Sequence, residues 1–490
     1  MGYYFISIGG SGAKIMESLT HLCVAGLLPN TNRDKKLYVM SIDPDTGNGN
    51  LARSSAALHN FEKFQELKIG SNTPLFKTKV SIIRPFPWSP VRRDSNLDYL
   101  MSYQSHKGTP LGHLYEALYT KEERETKLNE GFRGHPTIGA AVLAQKTAAD
   151  RQTKNAAPEG WDDLAEKVRQ DVQSGGEARI FLAGSVFGGT GAAGMPTIAK
   201  LLTRTFEAAD RQGKLFIGGA FVLPYFSFPP MGDLDGQMYA RSKNFLPNTK
   251  AALKYYAALN AAYNSMYFIG EDVAAPVKNF SVGAKSQQND AHIVDFYGAL
   301  AALDFFQSPT DKYAYISRAN EGLFKWTDFP DIQMEDGSRV SLKERFGQFA
   351  KFVLAYAHLV KPVLQGLSSG SLRDDFYPWF VDYFQGINIS DDAVKNFEEY
   401  VESFALWLQQ LESGADGRKM ELIRQDAFGA APARLDPGRF QKLVYEENSA
   451  LTMHELWYRL SEHPGKDDET SEGFGRFLRA LYDCCKNEEA

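Results

Sequence analysis

The chain has 490 residues, 43% of them hydrophobic, 13% aromatic and 23% charged. That apolar content excludes global disorder, and the length exceeds one ordinary hydrophobic core, so two structural units are expected. Lysine and arginine number 54 against 60 acidic residues, a formal charge of -6. This balance gives no general attraction to phosphate backbones or anionic lipid and argues against nucleic acid as the partner.

The chain opens Met1-Gly2-Tyr3-Tyr4-Phe5-Ile6-Ser7-Ile8 with no basic region ahead of the apolar run, so these residues read as a first strand and not as a leader. Tyr3 to Ile8, Leu37 to Ile42, Ala178 to Ala183 and Leu215 to Leu223 are rich in β-branched and aromatic residues and end in Gly, Pro or Asp, the pattern of buried parallel strands. A fifth strand is expected at Met266 to Gly270. Helical patterns lie between them at Ile15 to Leu28, Thr137 to Arg151, Thr197 to Ala209 and Thr249 to Ala262. This alternation predicts an α/β fold with a doubly wound, mainly parallel sheet, whose ligand sits at the carboxyl ends of the strands.

From Asp290 to Phe306 the apolar residues cover most of a helical circumference, which predicts a central helix buried between two layers. Beyond about residue 340 the pattern changes to amphipathic segments at Leu342 to Leu364, Ala393 to Leu411 and Ser449 to Leu460, joined by connections near Gly414 to Gly417 and His463 to Glu472. The expected division is therefore 1–310 and a mostly helical 311–490. Trp379, Phe380, Trp407 and Trp457 fall at helical spacing and read as core. No apolar stretch reaches the ~20 residues of a bilayer span. The three cysteines, Cys23, Cys484 and Cys485, have neither zinc-ligand spacing nor the number of a disulfide framework. A reducing, cytoplasmic setting follows.

Two glycine runs carry the chemistry. Strand one leads into Gly9-Gly10-Ser11-Gly12-Ala13-Lys14 and then a helix. Glycine lets the backbone turn tightly and bring its N–H groups to phosphate oxygens, and the positive end of a helix dipole favours the same charge. The second run, Gly184-Ser185-Val186-Phe187-Gly188-Gly189-Thr190-Gly191-Ala192-Ala193-Gly194, repeats this with more glycine ahead of a helix expected to start near Pro196.

The segment Gly188 to Gly194 resembles the G-G-G-T-G-[TS]-G loop of the tubulin/FtsZ superfamily, and other pieces follow in the family's order. The acidic loop after strand two is matched by Asp43-Pro44-Asp45. The loop G-x-G-x-N-P-x-x-G is matched by Gly131-Phe132-Arg133-Gly134-His135-Pro136-Thr137-Ile138-Gly139, with His135 in place of Asn. The Phe-rich turn that carries an acid and an arginine near the ribose is matched by Phe226 to Arg241, notably Asp235 and Arg241. The Asn or Asp that holds guanine at the start of the central helix is matched by Asn289 first and Asp295 second; such a side chain disfavours adenine, whose donors and acceptors are exchanged. The likeness covers roughly residues 1 to 310 and looks closest to divergent bacterial tubulin-like proteins.

The resemblance implies GTP or GDP held by Gly9, Gly10, Ser11, Gly12, Ala13, Asp43, Gly134, His135, Pro136, Gly188, Gly189, Thr190, Gly191, Ala192, Asp235, Arg241, Asn289 and Asp295. Magnesium is expected from phosphate chemistry, with Asp43 or Asp45 acting through water. Self-association into filaments and a partner protein on the helical tail are the implied interactions. The family completes its active site with N-x-D-x-x-D after the central helix, and none of Asp311, Glu321, Asp328, Asp331, Glu335 and Asp336 stands in that complete motif. Binding is thus better supported than hydrolysis, and no catalytic residue is assigned. An assembling GTPase and a GTP-bound switch or scaffold acting through its tail both stay open.

Other readings fit less of the chain. Gly189 to Gly194 also satisfies the G-x-G-x-x-G of an NAD(P)-dependent oxidoreductase, but the next strand ends in Pro224-Tyr225-Phe226 where a ribose-binding acid is required. Neither run has the Gly-Lys-Ser/Thr ending of a P-loop, which excludes Lys14 from that role. Gly366-Leu367-Ser368-Ser369-Gly370 fits G-x-S-x-G but follows a helical pattern and not a strand.

Overall fold

Seven parallel strands form one sheet: β1 (Gly2–Ile8), β2 (Lys36–Ile42), β3 (Lys79–Ile82), β4 (Ala178–Ser185), β5 (Leu215–Val222), β6 (Ser265–Glu271) and β7 (Lys312–Arg318), in spatial order β3-β2-β1-β4-β5-β6-β7. The computed structural model describes residues 2–28, 36–91, 95–149, 160–229, 241–258, 263–271, 274–277, 287–307, 312–318, 324–334, 337–384, 387, 391–413, 420–424, 440, 442–445, 451–463 and 470–486. Strand order grows outward from β1 to both sides, so the winding reverses between β1 and β4. The connection expected at 414–417 and residues 464–469 of the one expected at His463 to Glu472 lie outside the described residues, as do Asp235, Asp311, Glu321, Glu335 and Asp336.

Along β1, Tyr3 and Phe5 enter the core on one face of the sheet while Tyr4, Ile6 and Ile8 enter the other. Both faces are covered, which is why these strands read as continuous apolar runs. The main helices are α1 (Gly9–Val24), α2 (Gly49–Phe64), α3 (Pro136–Ala149), α4 (Trp161–Gln173), α5 (Gly189–Thr205), α6 (Phe245–Ala258), α7 (Ile293–Gln307), α8 (Leu342–Ala355), α9 (Lys361–Ser368), α10 (Pro378–Phe384), α11 (Asp392–Ser413), α12 (Met453–Glu462) and α13 (Gly473–Cys484). α1, α2 and α7 pack on the Tyr3 and Phe5 face; α4 and α5 pack on the other. The central helix α7 buries Val294, Phe296, Leu303, Phe305 and Phe306 almost completely.

Helices α8 to α13 join the same core as α1, α2 and α7. The indole N–H of Trp407 on α11 donates to Ser18 Oγ on α1 at 3.2 Å. Trp379 and Trp407 are fully buried, with Phe380 and Trp457 packed against the core, so these aromatics are core as expected. The three cysteines are free and buried. Among the described residues, no helix is long and apolar enough to cross a membrane.

Three expectations need correction. The glycine runs are not wholly loops ahead of helices: α1 begins at Gly9, so the first run opens its helix, and α5 begins at Gly189, so the second run enters its helix well before Pro196, after the short connection Val186 to Gly188. Glycine is a poor helix former alone, but burial of both helices against the sheet overrides that preference. Pro196 therefore lies inside α5 and not in its first turn. The 342–364 segment is not one regular α-helix but α8 and α9 joined by a π turn at Tyr356–Val360; Pro362 follows that turn and cannot donate to the ladder.

Candidate functional site

At the point where the winding reverses, β1 runs directly into α1 and β4 into α5 through Val186 to Gly188, and their carboxyl ends open into a cleft. This is the place where open α/β sheets take their ligands. Ile8 and Gly188, the residues that precede the two helices, supply no side-chain cap, so both first turns turn backbone amides and a positive dipole end toward the cleft.

Close approach of backbones explains the glycines here. Gly9 has φ +70°, and a Cβ on it would lie 3.2 Å from Thr190 Cβ, so the two glycine turns touch. A Cβ on Gly191 would lie 2.5 Å from Ser185 O, and one on Gly189 would lie 2.9 Å from Phe132 Cβ and 3.0 Å from Gly134 N. The third segment, Gly131 to Gly134, is thereby pressed against the second. Gly131, Arg133 and Gly134 all have positive φ, and the Arg133 guanidinium pairs with Glu130.

On the β2 side, Asp43 and Asp45 are 3% and 6% exposed and both line the cleft. Asp43 Oδ1 accepts from Asp45 N at 3.0 Å, and Asp45 Oδ1 accepts from Gly47 N at 3.1 Å. Burial and the neighbouring Asp45 charge hold the Asp43 carboxyl well above the usual carboxylate range. Asn48 then caps α2 by accepting from Asn50 N and Leu51 N.

The far end is built around Asn289. Its N–H donates to Asn50 Oδ1 at 2.7 Å, its side-chain oxygen accepts from Gln287 Nε2 at 2.7 Å, and its carbonyl accepts from Arg53 Nη1 at 3.0 Å. Arg53 in turn pairs with the fully buried Glu17 at 2.8 Å. Burial pushes the Glu17 carboxyl up despite that guanidinium. Asp295 lies behind this wall: Oδ2 is 2.8 Å from Lys14 Nζ and accepts from His292 N at 2.9 Å, and Oδ1 accepts from Tyr225 Oη at 3.2 Å.

The cleft thus brings together Gly9, Gly10, Ser11, Asp43, Gly134, Gly188, Gly189, Thr190, Gly191 and Asn289. Gly12, Ala13 and Ala192 are buried in α1 and α5 and do not line it. His135 turns to Glu123, 3.0 Å away, and Pro136 opens α3. Arg241 and Asp295 are not on the cleft wall. Lys14, Asn48, Asn50, Tyr225 and Gln287 line it without having been singled out for binding. The sequence signal for Lys14 is its place in the first glycine run; Asn50 and Gln287 have no such signal, because only the fold brings them to Asn289. The cleft has a volume of about 150 Å³, below the ~300–1,000 Å³ of typical small-molecule sites. Among the described residues there is no group of three or more His, Cys, Asp or Glu placed to hold a metal ion.

A doubly wound parallel sheet with two glycine turns meeting at its switch point defines an α/β protein whose ligand cleft lies over β1 and β4. The family described as "Tubulin like" matches residues 4–268, more than half of the chain, and the protein belongs to that family. Among solved structures it is similar to CetZ from Methanosaeta thermophila strain DSM 6194, at 11% identity over 55% of this chain and 45% of that one, with a TM-score of 0.23. It is also similar to an inosine-uridine preferring nucleoside hydrolase from Bacillus anthracis, at 11% identity over 55% of this chain and 64% of that one, with a TM-score of 0.20. The chain therefore spans less than two thirds of either structure, and TM-scores this low carry no argument about function. No curated protein matches it.

Proposed function

We propose that this tubulin-like protein binds a guanine nucleotide in the cleft over β1 and β4 and assembles with copies of itself in a nucleotide-dependent way. The observation that carries the reading is the contact of Gly9 with Thr190, which joins two helix N-termini into one anion-binding surface. On this reading the amides of Gly9 to Gly12 and Gly188 to Gly191 take the phosphates, Asn289 reads the base, and Asp235 is assigned to the ribose by family likeness alone. Asp43 and Asp45 fit a magnesium ion acting through water, because a cation there would offset the burial and the neighbouring Asp45 charge that raise the Asp43 carboxyl.

A second reading is a GTP-bound switch or scaffold that does not polymerise and acts on a partner protein through residues 311–490. It is favoured by the absence of the full N-x-D-x-x-D motif after α7, where Asp328 and Asp331 keep the D-x-x-D spacing but Trp326 stands in place of the Asn. Three buried free thiols suit a reducing, cytoplasmic setting.

Titration of the protein with fluorescent GTP, competed by ATP and by NAD, tests the binding reading, which predicts displacement by GTP alone. Sedimentation with GTP and with GDP, alongside phosphate release at several protein concentrations, separates the two readings. No pelleting together with concentration-independent turnover removes assembly.

A further inference from the structure

Lys14 occupies the floor of the cleft in a way that phosphate binding does not explain. It stands on α1 one turn beyond Gly10, and its side chain is only 3% exposed. The ammonium is 2.8 Å from Asp295 Oδ2 and donates to Tyr225 Oη at 3.1 Å, and the Tyr225 hydroxyl donates onward to Asp295 Oδ1 at 3.2 Å. Its charge is thus matched by a buried carboxylate, so it adds no net attraction for a triphosphate. An ammonium has three N–H donors. Among the described residues its side-chain partners are Asp295 and Tyr225, which leaves one donor for the cleft that Lys14 lines.

We propose that Lys14 is a specificity-determining residue that reads an acceptor on the base, selecting 6-oxo purines over adenine; this rests on the nucleotide reading above. Asp295, fully buried and already accepting from Lys14, Tyr225 and His292 N, is withdrawn from the cleft wall. What the base meets in its place is a donor. The corresponding edge of guanine carries two acceptors, O6 and N7, whereas adenine places a 6-amino donor beside its N7. Because N7 accepts in both bases, the choice falls on the 6-position, where adenine sets its amino donor against the ammonium in a desolvated site, the arrangement that discriminates most strongly between isosteres. The 2-amino group is not read by this contact, so inosine should serve as well as guanosine. Arg53, which also faces this end, is committed to Glu17 and to the Asn289 carbonyl and holds the wall in place.

The test compares GTP, ITP and ATP on the full chain by competition titration, in the wild type and in Lys14→Met/Asp295→Asn, which removes both charges together and leaves no lone buried ion. The wild type should prefer GTP and ITP equally over ATP by about ten- to a hundredfold, the worth of a charged hydrogen bond. The variant should lose most of that preference while its ATP affinity changes little. A folded variant that keeps the preference overturns the assignment. An equal loss for all three nucleotides also overturns it, by placing Lys14 on the phosphates. If the variant does not fold, O6-methyl-GTP on the wild type decides: weak binding supports the contact, and binding as tight as GTP overturns it. Failure of the wild type to bind any triphosphate would instead remove the nucleotide reading itself.

Discussion

The hydroxyl of Tyr256 on α6 donates to the carbonyl oxygen of Ala192 at 3.1 Å, and that carbonyl is the one Pro196 leaves without its helical partner. A proline inside α5 is therefore tolerated because a neighbouring helix supplies the missing donor, one turn from Thr190. Tyr256→Phe should destabilise the fold by about 1–3 kcal/mol, the penalty of an unsatisfied buried acceptor. In a Pro196→Ala background the residue 196 N–H returns, and the same Tyr256→Phe change should cost clearly less. Urea unfolding of the four proteins measures this coupling. Equal costs in both backgrounds would show that the two groups do not share the task.

The meeting of the two glycine turns makes a sharper claim about backbone. Gly9→Ala forces an L-residue into a left-handed conformation, at roughly 1–2 kcal/mol, and presses its Cβ toward Thr190. Gly191→Ala drives a Cβ to 2.5 Å and 2.6 Å from the Ser185 backbone O and N, which no rotamer relieves. Nucleotide affinity should weaken about tenfold in the first variant, by the free-energy equivalence of ~1.4 kcal/mol, and vanish in the second. Gly213→Ala is the control, since Gly213 has φ +65° but open space around it. If Gly213→Ala weakens binding as much as Gly9→Ala, the effect is general strain and not the shared cleft.

Five strands and the glycine turns are legible in the sequence because both signals are local: an unbroken apolar run, and a cluster of the one residue without a Cβ. β3 reads Lys-Val-Ser-Ile and β7 reads Lys-Tyr-Ala-Tyr-Ile-Ser-Arg, too short or too mixed at the ends to separate from connecting segments. Pro196 misleads for a tertiary reason, as its usual cost is offset by Tyr256, 60 residues downstream in the numbering. The pairing of Lys14 with Asp295 is equally invisible, because nothing near either residue in sequence announces the other. Asp295 reads as a base contact until the fold turns it away from the cleft.

The Asp43 carboxyl offers a test of the magnesium assignment through pH. Burial and Asp45 hold its pKa well above the usual range, so a cation that binds there must displace a proton. The gain in GTP affinity on adding magnesium should therefore shrink as the pH is lowered from about 8 toward 5, and Asp43→Asn/Asp45→Asn should lose the gain at every pH. Binding titrations with magnesium and with a chelator provide the measurement. A gain that is the same at both ends of that range would place the metal elsewhere.

His21 makes the junction of α1 with α11 sensitive to acid. Its ring is fully buried against Phe404 and Trp407, with Nδ1 3.0 Å from Tyr400 Oη. Burial, helped by the Arg53 charge, pushes its pKa from 6.5 down to about 3. Between those two values the unfolded chain takes up a proton that the native protein refuses, so the stabilisation present above pH 6.5 is lost progressively as the pH falls. The slope approaches ~1.4 kcal/mol per pH unit, or roughly 2 kcal/mol between pH 6.5 and 5 by the same relation. Asp43, Glu17 and Glu412, whose carboxyls burial raises, bend the curve the opposite way, which makes the difference between wild type and variant the informative quantity. His21→Phe keeps the aromatic packing and cannot take the proton, so its urea stability should fall less from pH 7 to pH 5 than that of the wild type. Parallel curves for the two proteins over that range would show that His21 is not the group that couples the α1–α11 junction to acid.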